Sequence, residues 1–423
     1  MKQVVPFKVL GIHFLFLFLL YLLLHYLGIS PSIPSNSTLL RWDANWYNSI
    51  HQHNYFYSES SQSNSGFFPM LPLIWNILDV GPLGMSLFNA FIGFLSLALF
   101  AKVFRLEDRS FLLFLSLPSL FFMYAPYAES LFVLFSCLIL YGLKFNKKAL
   151  VALGLFLAST TKATSLFFIP SLAFVLLFLS PISQFKSIVF IKDFLFYSFF
   201  VLLGIAAVVA LEYAQTGVCF AYFKAQSRHW SRSFNLPVFP LTTWDAYRLI
   251  YLDALGFIIG VFALLLCAKQ FVQSLIQRII TIEEADKSYW FSACFLVMVL
   301  GSIVFFNPLD DATKTTSILS INRYMLVSPF MLVFLHHHLK YSRLTRLQTT
   351  SIVLLLLLTW ILFNGYTSTK STLGFLFLST YLFSFLLLMQ KKHLPFIWLL
   401  LYFVGCCFQL YFFNSFMQGL WVG

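Results

Sequence analysis

Two isolated acids and two isolated cations are the residues of this chain best suited to chemistry. Asp43 lies among aromatic residues in RWDANWY (41–47), and Glu129 precedes an apolar run in APYAESLF (125–132). A carboxylate at a lipid–water boundary is partly desolvated and can act as a general base. Lys162 and Arg323 place cations at the same predicted depth, where they suit a phosphate or pyrophosphate leaving group.

Each of these residues also has a purely structural interpretation. Asp43 would cap and anchor a short helix by pairing with Arg41, and Glu129 would stabilise the start of its helix through the helix dipole. Each cation would extend from an apolar segment to the interface. Their collection on one side of the membrane favours a site, to which a third group adds polar side chains: Gln226, Arg228, His229, Trp230 and Arg232.

The composition requires a membrane to hold these residues. Of 423 residues, 60% are hydrophobic and 10% are charged, whereas roughly 25% are charged in an ordinary soluble domain. The net charge of +12 is explained by basic cytoplasmic loops. It therefore does not call for a nucleic-acid partner, and anionic membrane lipid is the electrostatic partner that we expect.

Apolar runs predict an all-α polytopic membrane protein of about thirteen transmembrane helices, forming a single domain over residues 1–423. Several runs are short, which a tilted helix or one ending in an internal cavity allows. The predicted spans are 7–27, 82–104, 110–124, 127–143, 149–163, 165–183, 194–214, 249–268, 288–306, 321–338, 349–366, 371–389 and 394–414.

Charge predicts the orientation of these spans. A cytoplasmic N-terminus places most of the 27 Lys and Arg residues in cytoplasmic loops and leaves the C-terminus outside. Three long loops then face the other side, over residues 28–81, 215–248 and 307–320. These loops hold the polar and aromatic residues of a working surface. The basic residues expected on that side are Arg41, Lys162, Lys224, Arg228, Arg232, Arg248, Lys314, Arg323 and Lys370.

The first of these loops, 28–81, is expected to carry short amphipathic helices. Trp42, Trp46 and Ile50 recur at helical spacing, which predicts a helix lying on the membrane with Asp43 and Tyr47 on the neighbouring face. The later segment GFFPMLPL (66–73) has two prolines three residues apart, which are expected to bar a regular helix and to form a rigid re-entry into the membrane.

No metal is expected at the site. The adjacent acids Asp310 and Asp311 could coordinate a divalent cation, but two acids in a mobile loop more often face solvent. The six cysteines form no CxxC or Cys/His pattern that indicates a metal.

Taken in order, several segments resemble the PIG-V family, which includes GPI mannosyltransferase 2 and shorter bacterial and archaeal relatives. The resemblance spreads over about three quarters of the chain, and RWD together with FFPxxPL and ESLF is its most specific combination. The segments are RWDANWY (41–47), GFFPMLPL (66–73), APYAESLF (125–132), STTKATSL (159–166), FKAQSRHW (223–230) and SINRYMLVSPF (320–330).

The resemblance implies a GT-C glycosyltransferase that works on the lumenal or periplasmic side. Mannose would move from a polyprenyl (dolichyl) phosphate to a lipid-linked or glycan acceptor, with inversion and without a metal or other cofactor. Asp43 would be the base, and Glu129 a second catalytic carboxylate. The substrate-binding residues would be Arg41, Trp42, Tyr47, Tyr127, Lys162, Gln226, Arg228, His229, Arg323 and Tyr324, with Arg228 and Arg323 holding a phosphate.

Two departures from the family pattern bear on the substrate. Lys162 and Thr164 stand where relatives often carry Arg followed by Gly, so the bidentate fork of an Arg is lost there. The long lumenal insertions of animal members are absent, which puts a GPI acceptor in doubt. This favours a prokaryotic cell membrane, with the endoplasmic reticulum as the alternative, and the expected partners are membrane lipids and a small membrane subunit.

Two other functions stay open at this stage. A transporter or flippase of a lipid-linked solute would place ionisable residues near the middles of its helices and show repeat symmetry. A non-catalytic subunit of a membrane complex would tolerate loss of the Asp43 carboxylate.

Overall fold

A computed structural model describes residues 6–179, 187–244, 246–276, 286–310, 314–341 and 395–423, with four single positions between 350 and 379. The predicted spans 349–366 and 371–389 therefore lie outside the described residues, as does Asp311.

The described chain is helical and contains no strand, only isolated bridges between Thr242 and Ser317 and between Leu309 and Thr316. Short 3-10 segments cover Asn64–Gly66, Pro118–Met123 and Ala163–Phe167. The α-helices are α1 (Pro6–Tyr26), α2 (Asn36–Leu39), α3 (Asp43–His53), α4 (Met70–Leu78), α5 (Pro82–Phe104), α6 (Asp108–Leu115), α7 (Glu129–Lys144), α8 (Lys148–Ser159), α9 (Phe168–Phe178), α10 (Ser187–Thr216), α11 (Ala221–His229), α12 (Ala246–Leu275), α13 (Lys287–Phe306), α14 (Ile321–Leu326), α15 (Pro329–Tyr341) and α16 (Pro395–Met417).

Among these residues, six helices are long and apolar enough to cross a membrane, which makes the chain an all-helical polytopic membrane protein. The count of thirteen stays a prediction. The six are Pro6–Tyr26, Pro82–Phe104, Ser187–Thr216, Leu249–Leu275, Lys287–Phe306 and Phe396–Met417.

Several predicted spans are shorter or broken, and these breaks carry the site. The run 110–124 forms α6 and then a 3-10 segment, and the run 321–338 divides into α14 and α15. Glu129 begins α7, and Lys162 follows α8 and caps the 3-10 segment Ala163–Phe167. Helices that end inside the protein place their polar terminal residues against one another, away from lipid.

The first long loop folds into short helices, as predicted, but the expectation that its two prolines bar a regular helix is wrong. Pro72 lies in the first turn of α4, where its missing N–H would have no partner in any case, so the helix forms. In α3 the buried face contains Tyr47 rather than the two tryptophans. The ring of Tyr47 packs edge-on against Phe67 at 5.3 Å, so protein contacts decide which face turns inward.

Buried aromatic residues form the core beneath the site. Phe295 lies 4.2 Å from Phe330 between ring centroids, and Phe132 stacks on Phe168 at 5.9 Å. These rings belong to α13, α15, α7 and α9, and α13 packs against the other three helices. Rigid aromatic packing on this scale gives the carboxylate and cations above it a firm base.

Candidate active site

Four charged side chains meet beside a cavity of about 740 Å³, and three of them, Asp43, Lys162 and Arg323, line it. The Arg323 guanidinium donates from Nη1 to Oδ2 of Asp43 at 2.6 Å and from Nε to Oε1 of Glu129. Lys162 donates from Nζ to the same Glu129 oxygen at 2.8 Å. Two acids and two cations thus form a quartet with no net formal charge, which is the condition under which buried charges are tolerated.

The two carboxylates have different access to the cavity. The Asp43 side chain is 20% exposed and lines the cavity, whereas that of Glu129 is 0% exposed and lies behind Arg323 and Lys162. Arg323 engages only Oδ2 of Asp43. Asp43 is therefore the acid that can meet a substrate hydroxyl, and Glu129 orients the two cations.

Aromatic rings surround the cations of the quartet. The Arg323 guanidinium lies 4.5 Å from the centre of the Tyr127 ring and 5.1 Å from that of Phe122. Lys162 Nζ lies 4.8 Å from the centre of the Tyr324 ring. Cation–π contacts of this kind hold a desolvated cation in place without adding a negative charge.

Hydrogen bonds connect the residues just before α7 to the first long loop. The Asp43 backbone N–H donates to the Tyr127 hydroxyl at 3.3 Å, and that hydroxyl donates to the Arg41 carbonyl at 3.4 Å. Asn89 donates from Nδ2 to the carbonyls of Ala125 and Tyr127, both at 2.8 Å. These bonds hold two segments that are distant in sequence next to each other at the site.

Three helices that carry cavity residues begin after a non-glycine residue with positive φ. Trp42 (φ 51°) precedes α3, Phe220 (φ 57°) precedes α11 and Ser320 (φ 68°) precedes α14. Such conformations cost about 1 kcal/mol or more for bulky residues and persist where the surroundings enforce them. The abrupt turns set the directions of Asp43 and Arg323 at the starts of their helices.

A layer behind Arg323 fixes the start of α14. Asp253 of α12 accepts from the Asn322 backbone N–H at 3.2 Å, from Asn322 Nδ2 at 2.6 Å and from the Thr243 hydroxyl at 2.6 Å. Asn322 in turn accepts from the Ser119 hydroxyl at 2.8 Å. Asp253 was not among the predicted site residues. An acid inside an apolar run is a functional candidate by default, and that signal would have found it.

The aromatic residues Phe67 and Trp230 line another part of the cavity wall. Trp230 packs edge-on against Phe67 at 5.8 Å and against Trp46 at 6.3 Å. The Trp230 ring also lies against the backbone of Gly66, where an added Cβ would meet it at 2.6 Å, so only glycine allows this approach. Flat apolar faces beside polar groups suit a sugar ring, whose C–H faces pack on aromatic residues.

Six of the twelve predicted site residues line the cavity: Asp43, Tyr47, Lys162, Gln226, Arg323 and Tyr324. Burial raises the pKa of the Tyr47 hydroxyl well above its usual range, and the charges of Glu129 and Asp43 add to this. Tyr47 therefore stays a neutral hydroxyl in the cavity wall. Gln226 donates from Nε2 to the Gly66 carbonyl at 3.0 Å.

The other six predicted residues lie outside the lining. Glu129 and Tyr127 support the site from behind, as described above. Arg41 donates from Nε to the Met417 carbonyl, and Trp42 donates from Nε1 to the Leu420 carbonyl, both at 3.3 Å. Arg41 therefore does not pair with Asp43, because Arg323 takes that place.

Arg228 and His229 lie on the outer side of α11. Arg228 pairs with the exposed Glu59 at 3.3 Å, and the His229 ring nitrogen Nε2 bonds to the Ser58 carbonyl at 2.9 Å. Arg232, four residues after Arg228, lines the cavity instead. Sequence spacing alone did not distinguish these two arginines.

Comparisons with known proteins add no identification. No family model, curated protein or solved structure matches this chain. The described residues also contain no group of three or more His, Cys, Asp or Glu side chains able to hold a metal ion. Function is therefore argued from the chemistry of the site rather than from relatives.

Proposed function

We propose that this protein is a membrane glycosyltransferase that moves a hexose from a polyprenyl phosphate to a lipid-linked or glycan acceptor. The observation that supports this most is the placement of Asp43, the cavity-facing carboxylate of a buried, charge-compensated quartet. The choice of mannose rests on the resemblance of the motifs to the PIG-V family.

The proposed reaction is a direct displacement at the anomeric carbon. Asp43 accepts the proton of the acceptor hydroxyl, whose oxygen forms the new bond to the anomeric carbon from the face opposite the phosphate. The bond between that carbon and the phosphate oxygen breaks, and the phosphate leaves with the electron pair. This step needs one base and inverts the anomeric centre, which agrees with a site where Asp43 is open and Glu129 is closed off.

The positions of the buried acids favour an enzyme over a transporter. A transporter is expected to hold its ionisable residues near the middles of the spanning helices. Asp253 lies near the beginning of α12 and Glu212 near the end of α10, and the quartet lies at helix ends as well. The acids Asp43, Glu129, Glu212 and Asp253 thus lie toward the ends of their helices.

Glycosyl transfer by the purified protein tests the proposal. Labelled polyprenyl-phosphate mannose would be offered with lipid and glycan acceptors, with and without a chelator, and a polyprenyl-phosphate glucose would test the sugar. We expect transfer that the chelator does not affect. Asp43→Asn should lower the rate by about 10²–10⁴-fold while the melting temperature changes little, since general-base catalysis contributes on this scale.

The matched control is Asp79→Asn, the same substitution in the same loop at an exposed position that ends α4. We expect wild-type rates from it. Absence of transfer from the wild-type protein to every acceptor would contradict the proposal, and equal rates in both variants would remove Asp43 as the base.

A further inference from the structure

Three exposed aromatic rings line part of the cavity. The chain after α11 crosses the end of α13, where the Asn235 N–H donates to the Phe305 carbonyl at 2.8 Å. Phe234 then stacks parallel to Phe305 at 6.1 Å and edge-on to Phe306 at 5.6 Å. These three rings, called the aromatic mouth below, line the cavity and are between 36% and 63% exposed.

The aromatic mouth includes the end of a candidate membrane-spanning helix. Phe305 and Phe306 end α13, one of the six helices long and apolar enough to span a membrane. Exposed rings at this place are stable against hydrocarbon and would be costly against water. A ligand with a hydrocarbon chain can therefore enter the cavity here while its chain stays in the membrane.

Arg232 lines the same cavity as the aromatic mouth and as Asp43, Lys162 and Arg323 of the quartet. Its backbone N–H donates to the Gln226 carbonyl at 3.1 Å, which holds it at the end of α11. Tyr222 and Arg232 both line the cavity.

The charge of Arg232 differs from that of the other basic residues of the site. Arg323 and Lys162 are offset by Asp43 and Glu129. Within the described part of the chain, the Arg232 guanidinium forms an ion pair with no carboxylate. A cavity-lining cation without a carboxylate partner attracts an anion, and the planar guanidinium fits a phosphate in bidentate fashion.

We propose that Arg232 binds the phosphate of a polyprenyl phosphate whose chain leaves through the aromatic mouth. The choice of a polyprenyl chain rests on the proposed glycosyltransferase function, and the phosphate position rests on the cavity geometry. With the phosphate at Arg232, the linked sugar occupies the cavity that Asp43 also lines. The quartet carries no net charge, so it does not attract the phosphate. Its member Asp43 accepts the proton of the acceptor hydroxyl.

Binding of sugar-free ligands to the purified, full-length protein tests this assignment. The probes are polyprenyl phosphate, the neutral polyprenol of the same length, phosphatidic acid and inorganic phosphate. Arg232→Gln should weaken binding of polyprenyl phosphate about tenfold or more, because it removes a charge-assisted pair to the phosphate. Binding of polyprenol should be unchanged. Phe234→Ala should weaken the binding of both polyprenyl phosphate and polyprenol.

Arg228→Gln is the matched control, since it removes the same side chain four residues earlier on the outer face of α11. It should leave all affinities unchanged. Arg232→Lys, which keeps the charge, should restore most of the affinity and so separate a binding defect from misfolding. Equal effects of the two glutamine variants would overturn the proposal, as would equal binding of phosphatidic acid and polyprenyl phosphate.

The result also separates this proposal from the proposed reaction. Arg232-dependent binding of polyprenyl phosphate by a protein that transfers no sugar would keep the phosphate site and reject the reaction. Normal transfer and normal binding in Arg232→Gln would keep the reaction and reject the phosphate site.

Discussion

Arg323 and Arg228 show how differently two arginines on the same side of this protein are used. Both were predicted to hold a phosphate. The Arg323 side chain is 4% exposed and donates to two carboxylates from two of its nitrogens. The Arg228 side chain is 52% exposed and pairs with Glu59, which is itself 78% exposed.

The two arginines differ in whether water can solvate the charge that remains when one partner of the ion pair is lost. Around Arg228, solvent screens the pair and solvates either partner when the other is lost, so the contact has little energetic weight. Arg323 is buried, so solvent cannot fully replace a missing partner, and loss of one charge leaves another poorly compensated. A buried, fully paired arginine therefore fixes the geometry of its neighbours, whereas an exposed one does not.

The largest expected effect comes from Arg323→Gln. It leaves Glu129 and Asp43 with Lys162 alone, so we expect a loss of stability of about 3–5 kcal/mol, the usual cost of breaking a buried ion pair. Sugar transfer should fall below detection. Thermal unfolding in detergent and the transfer assay measure the two effects.

Arg323→Lys sharpens this result. Lysine keeps the charge but cannot reach Asp43 and Glu129 from two separate nitrogens, so activity should be lost more completely than stability. A lysine variant with wild-type activity would show that charge alone, and not the fork, is what the site requires.

An intermediate effect is expected from Asp253→Leu, which acts on Arg323 from behind. It leaves the Asn322 amide and the Thr243 hydroxyl without their acceptor, at about 1–3 kcal/mol for each unsatisfied buried group. The start of α14 should shift, and the transfer rate should fall although Asp253 does not line the cavity. Asp253→Asn keeps an acceptor oxygen and should recover most of the rate.

The smallest effect is expected from Arg228→Gln. Because solvent takes over from Glu59, the melting temperature and the transfer rate should both stay at wild-type values. A clear loss of transfer in this variant would break the contrast between the two arginines, and would return Arg228 to the set of substrate-binding residues.

Of the charged residues that the motifs singled out, both acids but only two of the four Lys and Arg residues lie in the quartet. Asp43 and Glu129 were singled out because acids are rare beside apolar runs, and both lie in the quartet. Arg228 and Arg232 are equally basic and close in sequence, so no pattern distinguished them. The turn after α11, with Ser231 at φ 50°, sends one to the surface and the other into the cavity.

By itself, the sequence determined that this is a helical membrane protein and which rare polar residues merit attention, because apolar run length and isolated charge are local properties. Only the tertiary structure decided that Asp43 is open to the cavity and Glu129 is closed off, that Arg323 joins them, and that Asp253 supports that arginine. These are contacts between segments up to hundreds of residues apart. Their existence depends on how helix ends pack, and nothing in local spacing records it.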